Sequence, residues 1–450
     1  MLEARDIEVP TGDSPLHERL AHGLERAISA RLALPGERLP THRRIASDLG
    51  ISVGTVTRAI EFLARRGVVR GETGRGTFVL GPPIETSAAQ GLIDLALNSP
   101  PPVVGLEFLG EAAVRAAPKL AEYSGGYTPP HGAATHRAAL AAWLRRERLV
   151  LDADAFLITV GALEGLNLAI DDLVARGVRA LATEAATYSG VLEAARGRHI
   201  GIVGLPVDEE GLLPDALDRA LGENQAQAVY VTPVAQNPLG CEMSETRVRA
   251  IVAVAAKHRA PIIEDDIYYG YRCGNAPTLK EISPHQVYFV TSLSKCVTPL
   301  LRIGILAPPQ DRLDAAIARH HASVWSVPPL TAAIAADLVT EGFDRTAAEM
   351  LRAEARARRQ LAVEILPAGN VVTSSALHAW LPMDNAAAER FARHALERGV
   401  RVTSPSAPIA NASLASGIRL CLGAPESREV LAAALRALAG LFSLREPLVM

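Results

Sequence analysis

One lysine stands apart from the other basic residues. The chain has 46 Lys plus Arg, and only Lys119, Lys257, Lys280 and Lys295 are lysine. Lys295 lies in Thr291-Ser292-Leu293-Ser294-Lys295, with Arg302-Ile303-Gly304 just beyond. A guanidinium cannot condense with an aldehyde, whereas a primary amine forms an imine. Hydroxyls and an arginine around one lysine suit a phosphorylated aldehyde cofactor, and pyridoxal phosphate (PLP) is the obvious candidate. Read from this segment alone, the alternative is a surface lysine without a chemical role, as for the other three.

Further candidates fall where short apolar runs end. Gly161-Ala162-Leu163-Glu164 follows the run Phe156-Leu157-Ile158-Thr159-Val160 and opens a helical pattern, a natural phosphate seat for backbone N–H groups. Tyr188 follows the next run and can lie on an aromatic ring. Asn237-Pro238-Leu239-Gly240 comes after Val231-Thr232-Pro233, and Asp265 ends Pro261-Ile262-Ile263-Glu264, with Tyr268 three residues on. Each of these is weak singly. Their order, their strand-end positions and the Lys295 and Arg302 that follow give them joint weight, because open α/β sheets bind ligands at strand ends. Cys241, Cys273, Cys296 and Cys421 are scattered without a CxxC pair, which fits reduced thiols in a cytoplasm better than disulfides or zinc. Cys296 reads as a packing residue.

A second chemistry lies upstream. Between Arg38 and Arg75 stand eight arginines against Asp48, Glu61 and Glu72, in a chain whose net charge is −3. Net charge predicts no general attraction to nucleic acid, so any such attraction is local. Leu16, Leu20, Leu24 and Ile28 predict a first amphipathic helix. A short helix is expected from about Thr41 to Leu49, a turn at Gly50, and a second helix from near Ser52 to Gly67 that turns Val56, Ile60 and Leu63 inward. Val68-Val69-Arg70 and Thr77-Phe78-Val79-Leu80 read as two strands joined at Gly74-Arg75-Gly76. This helix, turn, helix and basic-tipped wing suits the major groove. Ser52, Thr55 and Thr57 can serve bases or phosphates, Arg43, Arg44 and Arg58 can neutralise phosphates, and Arg75 can reach along a groove. A helical interaction domain with solvated arginines is the alternative.

The elements that position these residues follow from the pattern. At 450 residues the chain is long enough for two or three domains. Hydrophobic content of 49% and charged content of 21% describe a folded, soluble protein. No run of about 18 apolar residues appears, and the mixed-charge start Met1-Leu2-Glu3-Ala4-Arg5-Asp6 lacks an apolar signal core. A cytoplasmic protein without a membrane segment is therefore expected. Residues 12–80 are expected to form a separate N-terminal unit, the candidate DNA-binding domain, and 81–91 a Pro-rich linker. Alternating strand-like and helical patterns over 92–366 predict an α/β domain with a largely parallel sheet, with strands near 178–183, 200–205, 227–232, 261–265, 287–291 and 302–307. Residues 367–450 read as a smaller α+β subdomain.

The N-terminal segment resembles the winged helix-turn-helix domain of GntR-type regulators. The string Gly36-Glu37-Arg38-Leu39-Pro40-Thr41-His42-Arg43-Arg44-Ile45-Ala46, then Leu49-Gly50, Gly54-Thr55-Val56 and Gly74-Arg75-Gly76-Thr77-Phe78, carries the likeness. Many relatives place arginine second in the recognition helix. Val53 stands there instead, and it can meet a thymine methyl but cannot fork onto guanine.

Residues 92–440 resemble a fold type I aminotransferase. The likeness implies that Lys295 carries PLP as an imine and that Asp265 pairs with the pyridine nitrogen. It implies that Asn237 and Tyr268 bond the ring 3-oxygen and that Tyr188 stacks on the ring. Ser292, Arg302 and the amides of Ala162 and Leu163 would hold the phosphate, where relatives usually offer a hydroxyl and an amide side chain. Tyr127, in Gly126-Tyr127-Thr128-Pro129, would reach a neighbouring subunit's phosphate, and Arg419 would fork a substrate carboxylate. The fusion of the two halves resembles the MocR subfamily. That implies a homodimer on a double-stranded DNA operator, controlled by an amine or amino-acid effector or by PLP itself. An active aminotransferase with secondary DNA binding is the competing expectation.

Overall fold

The computed structural model describes residues 7, 9–10, 15–29, 39–65, 69–72, 76–79, 92–123, 126–147 and 149–442. The chain divides into two compact units, Met1–Gly91 and Leu92–Met450.

In the first unit, helix Leu16–Ser29 packs its apolar stripe, Leu20 and Leu24, against Ile45, Val56, Ile60 and Leu63 of the next two helices. Burying each such side chain contributes about 1.5–3 kcal/mol. Leu16, at the first position of its helix, is partly exposed; the side chain of Ile28 lies outside the described residues. Helix His42–Leu49 begins because the Thr41 hydroxyl accepts the Arg44 N–H, and it stops because Gly50 turns left-handed at φ 65°. Helix Val53–Arg65 follows, its start held by the Thr55 N–H donating to the Ser52 hydroxyl at 3.1 Å. Strands Val69–Glu72 and Gly76–Val79 then pair antiparallel. The expected basic tip, Arg75, lies outside the described residues.

The second unit is built on a seven-stranded sheet. From one edge to the other its strands are Leu157–Val160, Ile303–Ala307, Val287–Ser292, Ile262–Asp265, Ala228–Val231, Ala180–Glu184 and Gly201–Leu205. All run parallel except Ile303–Ala307, which is antiparallel to both neighbours. Alternate residues enter opposite cores. Ile158, Phe289 and Ile305 pack on one face, while Leu157, Tyr288, Val290 and Leu306 pack on the other. Helices on both faces bury the sheet, which is why its strands read as apolar runs without alternation.

A smaller assembly closes the chain. Strands Val372–Thr373, His378–Pro382 and Gly417–Cys421 form an antiparallel sheet, and Val400–Val402 pairs parallel with Ile93–Leu95. Leu95 thus joins a core made by Leu366, Leu381, Phe391, Leu420 and Leu435. Among the described residues no helix is long and apolar enough to cross a membrane, and no His, Cys, Asp and Glu cluster could hold a metal.

Candidate cofactor and ligand site

The sheet brings the expected residues to one edge. Gly161, Tyr188, Asn237, Asp265 and Ser292 all lie at or just after the carboxyl ends of parallel strands. Arg302 reaches the same edge by the opposite route. It precedes the antiparallel strand, so its position at the start of that strand is level with the ends of the others.

Lys295 is enclosed at the centre. Its Nζ donates to the Asn98 carbonyl, and its own carbonyl accepts the Tyr271 hydroxyl at 2.9 Å. Burial lowers the amine to about 8, with repulsion from Arg419 and Arg302 acting in the same direction and Cys421 opposing. A larger fraction of this amine is therefore neutral near pH 7 than in free lysine, as condensation with an aldehyde requires.

Asp265 and Asp266 are adjacent but have different partners. Arg272 neutralises Asp266 at 2.8 Å. Asp265 is buried, its Oδ2 accepts the Tyr230 hydroxyl at 2.6 Å, and its Oδ1 has no partner. Burial raises Asp265 to about 6, and the Tyr230 bond holds it down against the charges of Asp266 and Glu184. Asn237 has a similar half-used pattern. Its Oδ1 accepts from Arg419 at 2.9 Å, while its buried Nδ2 is unpartnered. The Tyr268 hydroxyl accepts from Asn98 Nδ2 at 2.5 Å. Tyr188 precedes helix Ser189–Gly197 and is half-buried, and burial followed by the charge of Asp265 raises its pKa.

The helix start expected to seat a phosphate offers backbone groups. Gly161 adopts φ 75° before helix Ala162–Ala175, and a Cβ there would meet the Arg302 guanidinium at 2.6 Å. Only glycine permits both. Ala162 and Leu163 present N–H groups at the helix start without side-chain donors. Glu164, whose charge would repel a phosphate, is turned aside: it accepts the Val160 N–H at 2.5 Å and faces His320 Nδ1 at 2.9 Å. Ser292 is buried and accepts the Ser294 N–H at 3.4 Å.

Arg419 is only 7% exposed. Its guanidinium donates to Asn237 Oδ1, the Thr403 hydroxyl and the Ala96 carbonyl, all neutral. Tyr127 is not gathered into this site. It is 79% exposed and packs its ring 4.6 Å from that of Trp325.

Four further residues join the site. Tyr230 and His378 are buried beside it, the latter with Nε2 on the Gln236 carbonyl at 2.9 Å and its imidazole lowered by burial to about 3. Cys421 shares a strand face with Arg419, two residues away, a spacing visible in the sequence. Asn98 had no local signal at all. The expectation for the other lysines also needs one correction: Lys280 is no surface residue. It is 5% exposed, and its Nζ donates to the carbonyls of Pro284, Val287 and Pro308 because the chain folds back around it.

The groups left open fit PLP. An amine lowered toward neutrality suits its aldehyde, a free carboxylate oxygen its ring nitrogen, a free amide its 3-oxygen, and a helix start with Arg302 its phosphate.

In the N-terminal unit, Arg43 and Arg58 are exposed, as is Val53. Arg44 is exposed too, but its Nε pairs with Asp48 at 2.7 Å. Ser52 and Thr55 share a hydrogen bond of 2.9 Å at the helix start, and Thr57 turns back to His42 at 3.2 Å.

Comparison with known proteins places both halves. Residues 91–438 match aminotransferase class I and II, and residues 16–79 match bacterial regulatory proteins of the gntR family. The pyridoxine biosynthesis transcriptional regulator PdxR of Corynebacterium glutamicum is 27% identical over 79% of this chain and 80% of its own. The probable rhizopine catabolism regulatory protein MocR of Rhizobium meliloti is 27% identical over 76% of this chain and 75% of its own. An archaeal alanine:glyoxylate aminotransferase superposes with a TM-score of 0.72 at 26% identity, covering 78% of this chain and 90% of that one. An alpha-aminoadipate aminotransferase from Thermus thermophilus superposes with a TM-score of 0.71 at 23% identity, covering 79% and 94%. The chain therefore belongs to the aminotransferase class I and II family, with the PLP fold of type I, and to its MocR branch, in which a GntR-type helix-turn-helix precedes that fold.

Proposed function

We propose that this chain is a PLP-linked DNA-binding regulator whose aminotransferase-like unit senses an amine, most simply an amino acid. One observation carries the reading. Around Lys295, Asp265 Oδ1 and Asn237 Nδ2 are buried without a hydrogen-bond partner, and Arg419 donates to neutral acceptors with no counter-charge among the described residues. Buried polar groups are costly unless paired, so such a set marks a place for a ligand.

In this reading, PLP when bound supplies an aldehyde that condenses with amines and a ring that draws off electrons. Lys295 anchors it, and Asp265 keeps its ring nitrogen protonated while Tyr230 fixes the carboxylate. Asn237 and Tyr268 orient the ring edge, and Tyr188 covers its face. Ser292, Arg302 and the amides of Ala162 and Leu163 hold the phosphate. Arg419 orients the carboxylate of an incoming amino acid. Tyr127 acts in a second copy of the chain, in a homodimer. Exposed Arg43 and Arg58, with Ser52 and Thr55, meet the DNA.

The experiment is a visible absorption spectrum of the PLP-loaded protein, titrated with a panel of amines and amino acids, with binding to duplex DNA followed in parallel. A band that shifts with one compound and a matching change in DNA affinity are expected. Both vanish in Lys295→Ala. A DNA response that persists unaltered in that variant overturns the sensing role, and repeated turnover to a keto acid would make the protein a working aminotransferase.

A further inference from the structure

The segment that leads out of the DNA-binding unit also fastens the site. Two of its residues reach the chemistry. The Asn98 carbonyl accepts the Lys295 amine, and the Asn98 amide donates to the Tyr268 hydroxyl. The Ala96 carbonyl accepts from Arg419 at 3.1 Å and from the Cys421 thiol at 3.3 Å. Asp94 shapes the segment, with its Oδ1 accepting the N–H groups of Ala96 and Leu97 and its Oδ2 facing Arg401 at 3.2 Å. Asp94 itself lies in Ile93–Leu95, which pairs with Val400–Val402. Every covalent path from residues 1–91 to the rest of the chain enters through Leu92.

Two of these fastenings use groups that a loaded site needs for itself. An amine condensed with an aldehyde gives up two N–H hydrogens, with the carbonyl oxygen leaving as water, and the nitrogen turns toward its new carbon. A carboxylate on Arg419 competes with the Ala96 carbonyl and wins, since it brings a full opposite charge and two oxygens onto which the guanidinium can fork. Asn98 Oδ1 is buried and unpartnered, so its amide is poised to re-pair when the backbone contact goes.

We infer that residues 96–99 are a latch read by site occupancy: closed on Lys295 and Arg419 when the site is unloaded, and released stepwise by PLP and then by an amino-acid carboxylate. The released strand end is the one continuous with the DNA-binding unit. This rests on the function proposed above and supplies its route of regulation.

Hydrogen exchange on the full-length protein tests it, comparing the chain without PLP, with PLP, and with PLP reduced onto the protein by borohydride. The peptide covering 92–99 is expected to exchange several-fold faster on loading. In Lys295→Ala it exchanges at the faster rate from the start and does not respond to PLP. In Asn98→Ala, which retains the backbone carbonyl, the unloaded rate is intermediate. A chain that takes up no PLP, judged by absorbance, overturns this inference together with the function it rests on. Normal uptake with unchanged exchange over 92–99 overturns the latch alone.

Discussion

Replacing Arg419 separates carboxylate recognition from amine recognition. The guanidinium is 7% exposed, and its bonds of 2.9, 3.1 and 3.1 Å all end on neutral acceptors. Among the described residues it forms no ion pair, so a ligand carboxylate would be its first counter-charge. Losing one partner of a buried, hydrogen-bonded charge pair costs about 2–5 kcal/mol, or roughly 30- to 4000-fold in affinity. Arg419→Gln should therefore weaken an α-amino acid by that factor. The same amine without its carboxylate should change by less than about threefold, because no charge pair is lost. Arg419→Lys should fall between, since it keeps the charge but not the fork. The unliganded variant need not lose stability, because removing a buried cation without a counterion relieves desolvation. The assay is absorbance titration of the PLP-loaded protein with alanine and with ethylamine, alongside thermal melting. Equal weakening of both ligands, or of neither, refutes the assignment of Arg419 to the carboxylate.

Two more predictions concern the other chemistries. With Lys295 lowered to about 8, roughly one amine in ten is neutral at pH 7, against about one in three thousand for free lysine. The rate of PLP uptake in stopped-flow should climb with pH to about 8 and then level, and a rise continuing to about pH 10, the range of free lysine, would contradict the burial argument. On DNA, Arg43→Ala and Arg58→Ala should each flatten the dependence of log Kd on log salt by about 1. Arg44→Ala should do less, because Asp48 already holds its Nε at 2.7 Å, and equal effects from all three would show that this pair opens on DNA.

Much of this architecture is legible in the sequence because it is local. Thr41 and Gly50 cap a helix by their own chemistry, and the apolar runs ending at Val160 and Asp265 read directly as buried strands. Lys295 stands out because so few lysines exist. Long-range closure leaves no such trace. Tyr230 meets Asp265 across neighbouring strands, and Asn98 reaches Lys295 from almost 200 positions away. Neither contact has a period or a spacing. Nor does spacing separate the two adjacent aspartates, which the fold divides by giving Asp266 to Arg272 and Asp265 to Tyr230.

The disposition of the lysines bears on reagent selectivity. Lys119 is tied to Asp337 at 2.9 Å and Lys257 to Asp218 at 2.8 Å. Lys280, although lowered to about 8 by burial, is caged by three carbonyls. The first two are engaged in ion pairs, and the cage denies an aldehyde any approach to the third. Of the four lysines, Lys295 alone combines an amine lowered by burial with a single carbonyl partner and no ion pair. Labelling by PLP and borohydride should thus be fastest at Lys295, ahead of the exposed, ion-paired Lys119 and Lys257 and the caged Lys280.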